Sequence, residues 1–104
     1  SGRAVLKSVL QNREMAELQN MARKLVSTKD DLNVFLIAEN AGKLQFVGAR
    51  GSESDLDMKS IAKEVFAFIN GKGGGRENFV QGGGETTITG EEMSKKISLI
   101  LSND

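Results

Sequence analysis

Lys72 and Arg76, four residues apart around Gly73-Gly74-Gly75, are the side chains of this sequence best placed by type and spacing to do chemistry. A second run, Gly82-Gly83-Gly84, follows Val80-Gln81, so seven of the chain's twelve glycines lie between Gly71 and Gly84. Glycine adds nothing to a core and loses the most freedom on folding. Such a concentration therefore implies a backbone that takes positive φ, or one that another backbone or a ligand must approach closely. Flanked by cations, successive N–H groups from Gly73 to Arg76 could form a nest for an anion. Arg76 can grip a phosphate with two parallel hydrogen bonds, and Lys72 attracts it as a point charge. Phosphate binding is the chemistry on offer. The competing reading is purely structural: glycines that let a helix end pack tightly on a sheet.

Other chemistries have few residues to work with. The chain has no Cys and no His. Thiolate nucleophiles, disulfides, the commonest general base and the commonest metal ligand are thus missing, and no acidic spacing resembles an oxygen-ligand metal site. No catalytic residue, metal or cofactor is expected. Two familiar glycine motifs fail on inspection. A P-loop needs Gly-Lys followed by Ser or Thr, and Gly71-Lys72 is followed by Gly73. The dinucleotide fingerprint needs a glycine where Arg76 stands, between a strand and a helix. The glycine segment here follows a helix, whose carboxyl end repels phosphate, so any anion must be held by Lys72, Arg76 and local N–H groups.

The elements that position these residues follow from periodicity. Residues 3–27 read as a helix, with an apolar patch at Val5, Leu6, Val9 and Leu10 and a second at Met15, Leu18, Met21, Ala22 and Leu25. The two patches do not share a face, which points to a break near Gln11-Asn12. Val34 to Ala38 reads as a central strand buried on both faces, and Leu44 to Arg50 as its hairpin partner across Gly42. A helix capped by Ser54 runs to Asn70, with Met58, Ile61, Ala62, Val65, Phe68 and Ile69 inward. The glycine segment is a loop with a short extended piece at Asn78 to Gln81. Thr89 and Glu92 have capping-box spacing for a last helix to Leu101. The expected fold is α/β or α+β: a single two-layer domain over 1–104, ordered helix-strand-strand-helix-strand-helix, its small sheet packed by helices. Residues 1–27 would be an N-terminal helix continuing upstream in a longer parent protein, and 28–104 the globular part. The start at Ser1 without Met fits an excised piece.

Net charge is zero at 27% charged residues, which argues against a generic nucleic-acid binder. Its distribution is uneven. Residues 3–29 carry six cations and two anions, and residues 59–76 carry four cations and one anion. If these segments share a face, the protein is electrically polar despite its neutrality. No apolar run approaches the ~20 residues of a membrane span, and a cytoplasmic setting is the default.

Gly71-Lys72-Gly73-Gly74-Gly75-Arg76 followed by Val80-Gln81-Gly82-Gly83-Gly84 resembles the signature of the DHHA1 domain, the C-terminal module of alanyl-tRNA synthetases and of free-standing alanyl-tRNA editing proteins. The helix from Met58 is similar to the family's lysine-bearing helix before the motif. The resemblance covers roughly residues 15–101. It implies a non-catalytic arm that holds the outer corner of tRNA, tRNA(Ala) in particular, for chemistry in the rest of the parent enzyme. Lys72, Gly73, Gly74, Gly75, Arg76, Gln81, Gly82 and Gly83 would be its RNA-binding residues, with Arg13, Arg23 and Lys24 as weaker candidates. In related DHH-type phosphoesterases a Gly-Gly-Gly-His version touches substrate phosphate. Arg76 at the His position suits anion binding and not hydrolysis, and the Asp-His-His metal motif is absent. Synthetases commonly carry Arg-Pro-Asp-Met-Ala-Gln where this chain has Arg76 to Gln81. The missing Pro and bulkier Val80 favour an editing protein as parent. Two alternatives stand beside this reading: an oligomerisation module that forms a homodimer through the first helix, and the phosphate-binding half of a DHH-type phosphoesterase.

Overall fold

The computed structural model describes residues 3–103. Its elements are β1 (Ala4–Gln11), α1 (Met15–Thr28), β2 (Leu32–Glu39), β3 (Lys43–Arg50), α2 (Met58–Ile69), β4 (Lys72–Arg76), β5 (Phe79–Glu85) and α3 (Gly90–Ser102). The strands form one sheet in the order β1-β2-β3-β5-β4. β1 runs parallel to β2, and α1 makes the crossover between them; all other pairings are antiparallel. The expected class holds, an α/β domain with a small sheet packed by helices.

The central strand explains the layering. Its apolar run buries alternate residues on opposite faces. Val34, Leu36 and Ala38 meet Leu18 and Ala22 of α1 on one face. Phe35 and Ile37 meet α2 and α3 through Val65, Phe66, Met93 and Ile97 on the other. The helices therefore flank the sheet, and the two-layer expectation becomes three layers. On the α2 face Phe35 stacks on Phe46, and Phe66 meets Phe46 edge-on with centroids 6.0 Å apart.

Three expectations change. Residues 4–11, read as the start of a helix, form β1, with burial alternating along the strand. Leu6 and Leu10 pack on the α1 side, while Val5 and Val9 stay 38% and 36% exposed. The patch that would have paired two helices thus belongs to an edge strand, and the break near Gln11-Asn12 is a real connection, with Asn12 at φ 54°. The α2 cap is Asp57, whose carboxylate accepts from the Lys59 N–H at 3.0 Å. Ser54 instead donates to buried Asn33 Oδ1 at 2.6 Å. Within α2 the inward aromatic residue is Phe66; Phe68 is 38% exposed, and the Lys96 ammonium lies 5.7 Å from its ring centroid. The Asn70 cap, left-handed at φ 53°, and the Thr89–Glu92 capping box form as expected.

Candidate nucleic-acid interface

The glycine segment is a β-hairpin at the sheet edge, not a loop. Lys72 pairs with Gly83, Gly73 with Gly82, Gly74 with Gln81, Gly75 with Val80, and Arg76 with Phe79. A strand points successive N–H groups in opposite in-plane directions, so half of them turn to β5 and half to the open edge. The nest expected over 73–76 is therefore replaced by an unpaired strand edge. Every residue of β4 is exposed.

Phe66 accounts for the glycine pair at the centre of the hairpin. A Cβ on Gly73 would lie 2.6 Å from the Phe66 ζ carbon and 2.7 Å from the Gly82 Cα, and would also strike the Gln81 carbonyl. A Cβ on Gly82 would lie 2.6 Å from both the Phe66 ζ carbon and the Gly73 Cα. The two backbones approach beneath the ring as no pair of side chains would permit. Gly75 takes φ 142°, a conformation that disfavours a side chain, just before the turn at Glu77-Asn78. Gly74 differs from its neighbours: a Cβ there would meet nothing within 4 Å, and its φ is not positive.

Alternation then gives the hairpin two chemically different sides. Gly73, Val80 and Gly82 face α2. On that side a groove of about 600 Å³ runs between α2 and β4, lined by Lys59 and Lys63 with Phe66 beneath, and by no carboxylate. Lys72 lines its rim, but the register turns the Lys72 and Arg76 side chains to the other face of the hairpin, with Gly74 and Gln81. Arg76 continues the groove's line past Lys59, in a second hollow that also includes Glu77. Lys59, Lys63, Lys72 and Arg76 are all exposed, and among the described residues none forms an ion pair. Glu64 and Glu77 adjoin Lys63 and Arg76 in sequence without an ion pair among the described residues, and Asp57 stands two residues before Lys59. Its pKa is lowered, chiefly by the Ser60 hydroxyl, and it serves the start of α2. At the other end of α2, the Gly71 N–H donates to the Phe66 carbonyl at 2.8 Å and closes the helix before the hairpin begins. One of the carbonyls that would repel an anion is thereby occupied.

Phe79, Gln81 and Gly83 face α1. Arg23 of α1 lies over the Phe79 ring, 4.7 Å from its centroid, and Gln19 one turn earlier donates to Gln81 Oε1 at 2.8 Å. Of the weaker candidates, then, Arg23 joins the hairpin. Arg13 sits at the β1–α1 connection, where its backbone bonds the Asn40 side chain. Lys24 is exposed on α1, and no contact among the described residues ties it to the hairpin. Lys59 and Lys63, which were not among the expected candidates, line the groove. Their signal was available: cations four apart on the outer face of the helix that leads into the glycines. Among the described residues no cluster of three His, Cys, Asp or Glu side chains could hold a metal, and no helix is long and apolar enough to cross a membrane.

Comparison with known proteins gives one answer. The alanine–tRNA ligase of Nitrosopumilus maritimus (strain SCM1) is 36% identical over 85 residues, which cover 80% of this chain and 9% of the ligase. That of Francisella philomiragia is 33% identical over 87 residues, 79% of this chain and 10% of the ligase. The chain thus spans about a tenth of the length of these relatives. The crystal structure of the C-Ala domain from Aquifex aeolicus alanyl-tRNA synthetase superposes with a TM-score of 0.84 at 30% identity, covering 94% of this chain and 90% of that one. The DHHA1 domain family matches residues 2–103, and with a hairpin of that signature at its sheet edge the chain belongs to the DHHA1 domain family.

Proposed function

We propose that this domain is the tRNA-holding C-terminal module of an alanine–tRNA ligase that works in the cytoplasm. The observation that carries the reading is the groove between α2 and β4. Lys59 and Lys63 line it without a carboxylate, Lys72 and Arg76 border it from the hairpin with their side chains on the other face of β4, and the strand edge between them lies open. Such a surface suits a phosphodiester backbone, because cations and outward N–H groups act on phosphate without reading sequence. The relatives named above are ligases, which favours a synthetase parent over a free-standing editing protein or a phosphoesterase. In the parent the domain would hold tRNA(Ala) while aminoacylation or editing proceeds in another part of the protein.

The test is binding of a tRNA(Ala) transcript to the 104-residue chain by fluorescence anisotropy. The Lys72→Ala/Arg76→Ala variant should bind more weakly, with its log–log salt dependence shallower by up to about 2 contacts. Unchanged affinity with an unchanged slope would remove the hairpin from the interface.

A further inference from the structure

The α1 side of the hairpin carries groups that phosphate binding leaves unused. α1 lies over β2 and β3, and two of its side chains one helical turn apart reach out to alternate residues of β5: Gln19 bonds Gln81, and Arg23 covers Phe79. The Gln19–Gln81 bond uses one donor and one acceptor of the two amides. The Gln81 Nε2 and the Gln19 Oε1 make no bond to other described residues and remain at a partly open surface. The Arg23 guanidinium is held by the Phe79 ring and not by a carboxylate, so its in-plane donors and its outer face are unspent. Across the strand from Gln81 lies Gly74, the hairpin glycine whose Cβ would meet no atom of this chain and whose φ requires no glycine. Nothing internal explains that missing side chain, whereas an outside partner lying on the main chain would.

We infer that this side is a base-reading shelf: an unpaired nucleobase of the bound RNA lies over the Gly74–Gln81 floor, against Arg23, and bonds through its edge to the Gln19–Gln81 amide pair. An amide pair with one donor and one acceptor free matches a base edge, which offers both, better than a phosphate, which only accepts. Unpaired bases also stack on guanidinium planes. The inference rests on the RNA-binding reading above. It places a base on the face of the hairpin where the register also sets the Lys72 and Arg76 side chains on either side of Gly74, with the Lys59 and Lys63 groove on the opposite face.

The test compares tRNA(Ala) transcript with a blunt RNA duplex that has no unpaired bases, each bound to wild-type chain, Gly74→Ala, Gln81→Leu and Arg23→Lys. Gly74→Ala and Arg23→Lys should melt at or above the wild-type temperature, since the first adds a methyl to open space and the second keeps the charge. All three variants should lose roughly tenfold or more in tRNA affinity with the salt slope unchanged, and should bind the duplex as the wild type does. Equal tRNA affinity for Gly74→Ala and wild type overturns the shelf. So does a loss shared by tRNA and duplex, which would mean that backbone and not base lies on Gly74. If wild-type chain binds neither RNA, the RNA-binding reading itself fails and the shelf falls with it. If wild type binds both RNAs equally and Lys72→Ala/Arg76→Ala weakens both, the phosphate reading stands and the shelf alone is refuted.

Discussion

Replacing Gly82 by Ala isolates what holds the hairpin against α2. The new methyl would sit 2.6 Å from the Phe66 ζ carbon and from the Gly73 Cα, while ordinary carbon contacts lie near 3.5–4.0 Å. The contact with Gly73 Cα can be relieved only by an outward shift of β4 by about 1 Å, and the contact with the ring requires Phe66 to shift as well. Overpacking of this kind costs about 1–3 kcal/mol, and each hairpin bond that opens adds about 1 kcal/mol. The total comes to about 2–4 kcal/mol, against a stability of about 5–15 kcal/mol for a domain of this size. Gly74→Ala is the matched control, because it meets nothing and reduces the freedom of the unfolded chain. It should be neutral or stabilising by up to about 1 kcal/mol. Urea denaturation followed by circular dichroism measures both, with the midpoint of Gly82→Ala falling and its m-value preserved. A Gly82→Ala variant within 0.5 kcal/mol of wild type, or a Gly74→Ala variant as damaged as Gly82→Ala, refutes the assignment of these glycines to internal and external roles.

The same reasoning separates the two phenylalanines of α2. Phe66→Ala should cost about 3–5 kcal/mol, and Phe68→Ala, at a 38% exposed position, about 1 kcal/mol or less; similar thermal shifts for the two would contradict the packing. Stability should also depend on acid through Glu39. Its pKa is lowered chiefly by the Gln11 side chain and also by the Gly90 N–H, so its contribution is present above the unfolded carboxylate value and lost as pH falls through the lowered one. Glu39→Gln should therefore show a smaller fall in melting temperature below about pH 4 than wild type does. Superimposable acid limbs for the two proteins would deny Glu39 that part.

Much of this architecture is legible in the sequence where one physical rule acts alone. The five-residue apolar run of β2 announced a two-sided strand, and Thr89 and Glu92 marked the start of α3. β1 was hidden because Val5-Leu6 and Val9-Leu10 repeat every four residues, as a helix would. In the fold both faces of β1 need apolar residues: Leu6 and Leu10 turn toward α1, while Val9 lies beside the α3 start at Gly90. The β4–β5 hairpin was hidden because glycines carry no periodicity and low strand propensity. Its strands exist because β3 offers β5 a partner and Phe66 needs a surface without side chains, neither of which is local in sequence. Phe66 and Phe68 both fit a loose inward stripe, and only the position of β4 decides between them. Lys72 and Arg76 stand out by their spacing around the glycines; Lys59 and Lys63 share a four-residue spacing on α2, and the groove beside β4 is what gives that spacing a place.

If the cations along α2 and β4 hold RNA by its phosphates, the salt dependence of tRNA(Ala) binding should change when Lys59, Lys63, Lys72 and Arg76 are all replaced by Ala. These four side chains are exposed and form no ion pair among the described residues, so the variant should fold. Wild type should bind, and the log–log slope of the variant should be shallower by about 3–4 units. Binding with equal affinity and equal slope by the two proteins, or no binding by wild type at all, would contradict that role for the cations.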